Sequence, residues 1–173
     1  METISAINEA LASLFKDKRQ KQLIVEQLNN QPKYFKSVFE FSLLDDEPMA
    51  WRAAWLMRDC LVKNDERLSG KGLLLTKAIK GKTEGHQREI LKNLDFISLE
   101  EDFEGYLFDA CMTIWETLSC IPSTRMTAFK TMMRVAEKYP ELKQDLKLLT
   151  EPEYTESLTP GIAATLRKEL KKL

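Results

Sequence analysis

The chain has 173 residues, with 43% hydrophobic and 31% charged residues and only six glycines and six prolines, a balance that suits one folded domain and excludes disordered or collagen-like chains. Lys and Arg number 26 against 27 Asp and Glu, so no global positive field marks it as a nucleic-acid binder. The three cysteines, Cys60, Cys111 and Cys120, lack the paired spacing of a zinc site or a disulfide framework and read as reduced core residues.

Apolar residues recur at spacings of three and four along most of the chain, without the alternation of strands, and predict eight to ten helices. The first runs from about Thr3 to Phe15 and the second from Lys18 to Asn29, forming an opening hairpin. Pro32 starts a helix through Phe35, Val38, Phe39 and Leu43. After the acidic turn 45–48, Met49 to Lys63 carries Trp51, Ala54, Trp55 and Val62 on one side and Ala53, Leu56, Met57 and Cys60 on the adjoining side. So wide an apolar arc implies burial between neighbouring helices. Asn64 or Asp65 is placed to cap a helix from Leu68 to Ile79, loosened at its start by Gly70 and Gly72. A shorter helix follows from His86 to about Asp95.

A long helix from Phe103 to Leu118 comes next, then one capped by Ser123 and running to Tyr139, then a short one over Glu141 to Leu149. The last follows Pro160 and carries Ile162, Leu166 and Leu170, its basic end complementing the negative pole of the helix. The acidic start Met1-Glu2-Thr3-Ile4-Ser5 is unlike a signal peptide, and no apolar run approaches the ~20 residues of a membrane span, so a cytoplasmic location and no membrane are expected.

Laid over one another, Pro48–Leu68, Glu84–Glu104 and Pro122–Leu142 align helix with helix, at steps of 36 and 38 residues. Arg52 then falls on Arg88, and Trp55 on Leu91 and Phe129. A period of this size carried by helix pairs marks a solenoid, in which each unit buries its faces against its neighbours. The segment Trp51-Arg52-Ala53-Ala54-Trp55, with Lys138-Tyr139-Pro140-Glu141-Leu142, resembles the HEAT and armadillo-like superfamily, and more narrowly small bacterial HEAT-repeat proteins. The resemblance covers about residues 32–149. It implies an all-α, right-handed α-α superhelix forming a single domain over 1–173, with repeat units at about 32–64, 66–97 and 102–139 and terminal helices at 3–29 and 141–173. It also implies a scaffold or binding role on the face lined by the second helix of each pair. Fold alone does not establish function.

In those second helices Arg52, Arg88, Lys92, Lys130, Arg134 and Lys138 recur about a turn apart or at equivalent places. They form either a basic stripe that meets a partner or a solvated face with ion pairs to Asp59, Asp95 or Glu137. Arg52, Arg88, Lys92, Lys130 and Arg134 are the candidate contacts for an unidentified protein partner. Trp51, Trp55 and Trp115 read as core before platform. Trp55 and Asp59, spaced i, i+4, resemble the aromatic and acid of HEAT-like alkylpurine DNA glycosylases, which keeps nucleic acid as the alternative partner. His86, the single histidine, reads as a surface residue. No glycine-rich nucleotide motif, hydrolase elbow or calcium loop occurs, so neither catalysis nor a cofactor nor a metal is expected. A third reading is a structural unit whose end helices pair with another copy.

Overall fold

The computed structural model describes residues 9, 11–12, 18–45 and 48–172. The expected first helix, Thr3 to Phe15, and the centre of the acidic turn lie largely outside them. Among the described residues the chain forms ten α-helices and one 3-10 turn, with no strand. In chain order they are α1 (Lys18–Asn30), α2 (Pro32–Ser42), α3 (Met49–Cys60), the 3-10 turn (Glu66–Leu68), α4 (Gly72–Ala78), α5 (Glu84–Leu94), α6 (Glu101–Glu116), α7 (Pro122–Ala136), α8 (Leu142–Leu148), α9 (Pro152–Thr155) and α10 (Pro160–Leu170).

Proline opens α2, α7, α9 and α10, where its missing N–H belongs to the unbonded first turn. The helix expected between Leu68 and Ile79 is split. Asp65 accepts from the Arg67 N–H and caps only the 3-10 turn, Gly70 takes φ +65°, and α4 begins at Gly72. A left-handed residue costs glycine nothing and breaks a helix there. Ser123 is not the cap of α7, which begins one residue earlier at Pro122.

The helices form two layers. α1, α3, α5, α7 and α10 pack side by side as the second-helix layer, while α2, α4 and α6 back them, each against the next second helix. Burial sets the register between repeats. Ala53, Ile90 and Ala128 are fully buried, as are Ala54, Leu91 and Phe129, and Met57, Leu94 and Met132 match them. These steps are 37 and then 38 residues, one more in the first interval than the sequence alignment gives. Trp55 therefore corresponds to Lys92 and Lys130, and Arg52 to Glu89. The sequence alignment was anchored on the matching arginines, whereas packing is decided by the apolar stripe one position away.

Cations from later in the chain close the helix C-termini, where carbonyls lack intrahelical partners. Lys82 donates to Leu43 O (2.8 Å) and Leu44 O (2.7 Å) beyond α2, and Arg67 to Cys60 O at the end of α3. Arg134 donates to Leu94 O (2.8 Å) and Ile97 O after α5, and Arg125 to Trp115 O (2.7 Å) in α6. Each bond ties a helix end to another element, so stacking and capping are one interaction.

Candidate functional site: the second-helix face

The solvent side of the second-helix layer is built by α1, α3, α5, α7 and α10. Its apolar positions turn inward, and the residues one step round each helix reach solvent. Trp55 and Asp59 sit one turn apart on α3. Lys21 of α1 lies over the Trp55 ring, 3.8 Å from its centroid, and pairs with the Asp59 carboxylate. Arg58 also approaches Asp59, at 3.5 Å. The tryptophan is half-buried, a sandwich of ring and ammonium at the border of core and solvent.

The middle of the face is organised around Glu89, which is 1% exposed. Its Oε1 accepts from Lys92 Nζ (2.9 Å) and from Arg88 Nε (3.2 Å), and Arg58 Nη1 lies 3.5 Å from Oε2. Arg88 Nη1 reaches on to Ser123 Oγ at 3.1 Å, linking α5 to α7. A buried carboxylate without compensation is costly, and these cations supply it. Their side chains remain 27–32% exposed, so the charge they carry is felt on the surface.

Further along, Lys130 is half-exposed and 3.5 Å from Glu169 on α10. Lys172 first, then Lys130, holds the Glu169 carboxyl below its usual range. Arg134 spends its guanidinium on the end of α5, with Asp95 3.5 Å away. Arg52 is half-buried, its Nη1 3.6 Å from Met49 Sδ. Lys138 turns to the other layer, where both Glu104 oxygens accept from it at 2.8 Å and Tyr139 Oη adds a bond of 2.6 Å.

The structure thus brings Arg88 and Lys92 together, and places Lys130 beside them on the same face. Arg58, Glu89 and Lys21 were missed by the sequence reading. A signal for one of them was present, since Glu89 lies three residues before Lys92 and adjoins Arg88. Arg58 had none, because its position matches buried residues under the 36-residue alignment.

His86 corrects the sequence expectation of a surface residue. It is fully buried, with Nε2 donating to Ser42 O at 2.8 Å, because α5 begins against the end of α2. The imidazole thus serves as one more donor at a helix C-terminus. Trp115 is fully buried and donates to Leu149 O at 2.8 Å, as core placement requires of an indole N–H. The three cysteines are buried and free; burial pushes the Cys60 thiol up to about 12 and Cys120 to about 11, and raises Cys111 as well. Among the described residues no group of three or more His, Cys, Asp or Glu is placed to hold a metal, and no helix is long and apolar enough to cross a membrane.

On the opposite layer a groove of about 340 Å³ runs between α2 and α4, lined by Phe35, Phe39, Leu43 and Leu74 with Lys36 and Lys71 at its rim. Glu40 and Arg67 also line it, the Arg67 guanidinium lying 4.0 Å from the Phe35 ring centroid.

No curated protein and no solved structure matches the chain. A family model described as a HEAT repeat domain matches residues 7–173. With stacked helix pairs, a continuous core between them and that match over nearly its whole length, the chain belongs to the HEAT repeat domain family.

Proposed function

We propose that this chain is a non-catalytic docking module that binds a protein partner along its second-helix face. The observation that carries the reading is the partly exposed cationic rim over Glu89. Arg58, Arg88 and Lys92 surround one buried carboxylate, and Lys130 and Trp55 extend the same surface to either side. Arginine and tryptophan beside an apolar core are the residue types that anchor protein interfaces. Arg88, Lys92 and Lys130 are the contacts proposed for the partner, with Arg52 at the edge; Arg134 supports the face by holding α5 to α7.

Site-specific photocrosslinking tests this directly. Benzoylphenylalanine in place of Lys130 on the second-helix face should capture a protein from nuclease-treated native extract. The same group in place of Tyr106, which is 63% exposed on α6 of the other layer, should not. Capture from position 106 alone overturns the reading.

A second reading has one observation in its favour: Trp55 and Asp59, the pair that resembles a glycosylase pocket, both lie on this face. Lys21 occupies the space between them, bonded to one and stacked on the other. Crosslinks from position 130 to nucleic acid in extract without nuclease would favour this reading over protein docking.

A further inference from the structure

The proposed protein-binding face has a centre whose charge is not balanced, and this inference rests on that reading. Arg58, Arg88 and Lys92 bring three positive charges to Glu89, and Lys21 adds a fourth beside Asp59. Against these four stand two carboxylates, Glu89 and Asp59, which leaves two positive charges uncompensated. Asp95, just past the end of α5, is drawn first to Arg134 and more weakly to Lys130 and Lys92. Lys130, the next cation on α7, faces Glu169.

The donors are unequally used. Arg58 turns Nη1 to Glu89 and Nε toward Asp59, and Arg88 spends Nε on Glu89 and Nη1 on Ser123. Among the described residues neither arginine donates a hydrogen bond from Nη2. Guanidinium groups present paired N–H donors that match a carboxylate. Because both arginines and Lys92 are about a quarter to a third exposed, an anion from outside can reach them without displacing Glu89.

We infer that Arg58, Arg88 and Lys92 form the receptor for an acidic side chain of the docked segment, with Glu89 as a built-in counter-ion that limits how tightly it binds. Glu89 is the only carboxylate of the cluster withdrawn from solvent, so it orders the cations without covering them. The occupant is a segment with isolated Asp or Glu residues. A nucleic-acid strand carries a phosphate about every 3.4 Å per strand, and would set some of them against Asp59, the neighbour of Arg58 on α3, and Asp95, which follows Lys92 by three residues just past the end of α5. Trp55 beside the cluster offers an apolar neighbour to such a segment.

The probe is a fluorescein-labelled peptide of about twelve residues alternating Glu and Ala, followed by anisotropy with the full chain at low salt. A Gln-Ala peptide and an oligothymidine of the same length are the comparisons. Wild type should bind the Glu peptide and not the Gln peptide. Glu89→Gln, which keeps the hydrogen-bonding shape and removes the charge, should tighten binding roughly tenfold, as removal of one nearby like charge from the site of a ligand anion implies. Lys92→Glu should weaken it at least as much.

Binding of the Glu peptide that Glu89→Gln leaves unchanged or weakens, in a variant that still melts cooperatively, overturns the inference; tighter binding of oligothymidine than of the Glu peptide also overturns it. If Glu89→Gln does not fold, Arg58→Gln takes its place, with weakened peptide binding expected and unchanged binding contradicting the site. Failure here is separable from failure of protein docking. A partner still crosslinked through position 130, with no Glu-peptide binding, leaves the docking face and removes the acidic anchor; loss of both removes the face itself.

Discussion

Arg58 of α3 and Glu89 of α5 meet across two neighbouring repeats, the guanidinium Nη1 3.5 Å from a carboxylate that is 1% exposed. The pair lies where the backbone of α3 and α5 is already held by Asn93 Nδ2, which donates to Ala54 O at 2.9 Å. Position and charge are therefore fixed by the same helix-to-helix packing, and a change at Glu89 acts on both. Glu89→Leu should destabilise the fold by about 1–3 kcal/mol, because it removes the buried acceptor of Lys92 and Arg88 while solvent screens the partly exposed cations left behind. Glu89→Gln should cost less than half of that. Urea unfolding of the two variants checks the ordering, and equal losses would show that the carboxylate charge is immaterial to the fold.

Arg125 is fully buried and bonds to neutral acceptors alone: Trp115 O at 2.7 Å, Tyr154 O at 2.6 Å and Ser157 Oγ at 2.8 Å. Burial lowers its pKa from the usual arginine value, and the stacked Trp115 ring lies 4.7 Å away. It joins the end of α6 to α9 and its following turn. Arg125→Ala, which orphans those acceptors and opens a cavity, should cost about 3–5 kcal/mol. Arg125→Lys should lose about 1.5–3 kcal/mol, since an ammonium cannot reach three acceptors in one plane. A loss under about 1 kcal/mol for the alanine variant, measured by denaturant unfolding, would contradict this role.

Gly72 begins α4 against Phe103 of α6, and a Cβ there would stand 2.2 Å from the ring. The backbone is in no left-handed conformation, so the constraint is space alone. Gly72→Ala should lower stability by about 1–3 kcal/mol despite its better helix propensity. The paired change Gly72→Ala with Phe103→Leu should recover part of it. Thermal melts of the single and double variants decide, and a stabilised single variant would show that the two helices separate freely.

Acid should weaken the fold through two carboxyls. Arg67 holds Asp65 below its ordinary 3.8. At Glu104 burial pushes the carboxyl up, but Lys138 and Tyr139 outweigh it and leave it below 4.5. The same bond raises Tyr139 to about 12. Groups depressed in the folded state contribute fully above their unfolded pKa, and that contribution is lost as pH falls through the unfolded and then the folded value. Stability should therefore be flat near neutrality and fall below about pH 4.5. Glu104→Gln should melt lower than wild type at pH 7, with the gap narrowing as pH falls below the ordinary 4.5; a constant gap would contradict the assignment.

The cysteines should be inert in the folded chain, since a thiol must ionise to react and burial raises all three. Titration with a thiol reagent at pH 8 should show no rapid reaction natively and three equivalents in denaturant. Rapid native reaction would place a thiol at the surface.

Helix number, the two-helix repeat and the buried cysteines were legible because apolar spacing reports burial directly. The register was not, because Arg52 and Arg88 match in identity while Ala54, Leu91 and Phe129 match in position, and only packing distinguishes them. Arg134 was legible as a second-helix cation but not as the donor to Leu94 O, since carbonyls at helix ends leave no mark in a sequence. His86 followed the same pattern. A polar residue at a helix start reads as exposed until an earlier helix is known to end against it.

The most direct test of the docking face is affinity capture from native extract, with and without nuclease, using wild type and the double variant Lys92→Glu with Lys130→Glu. A protein should stay bound to wild type after nuclease and be lost from the double variant, which should still melt cooperatively but at a lower temperature, because Lys92 helps to compensate the buried Glu89. A companion that disappears with nuclease, or that binds the charge-reversed chain equally well, would contradict it.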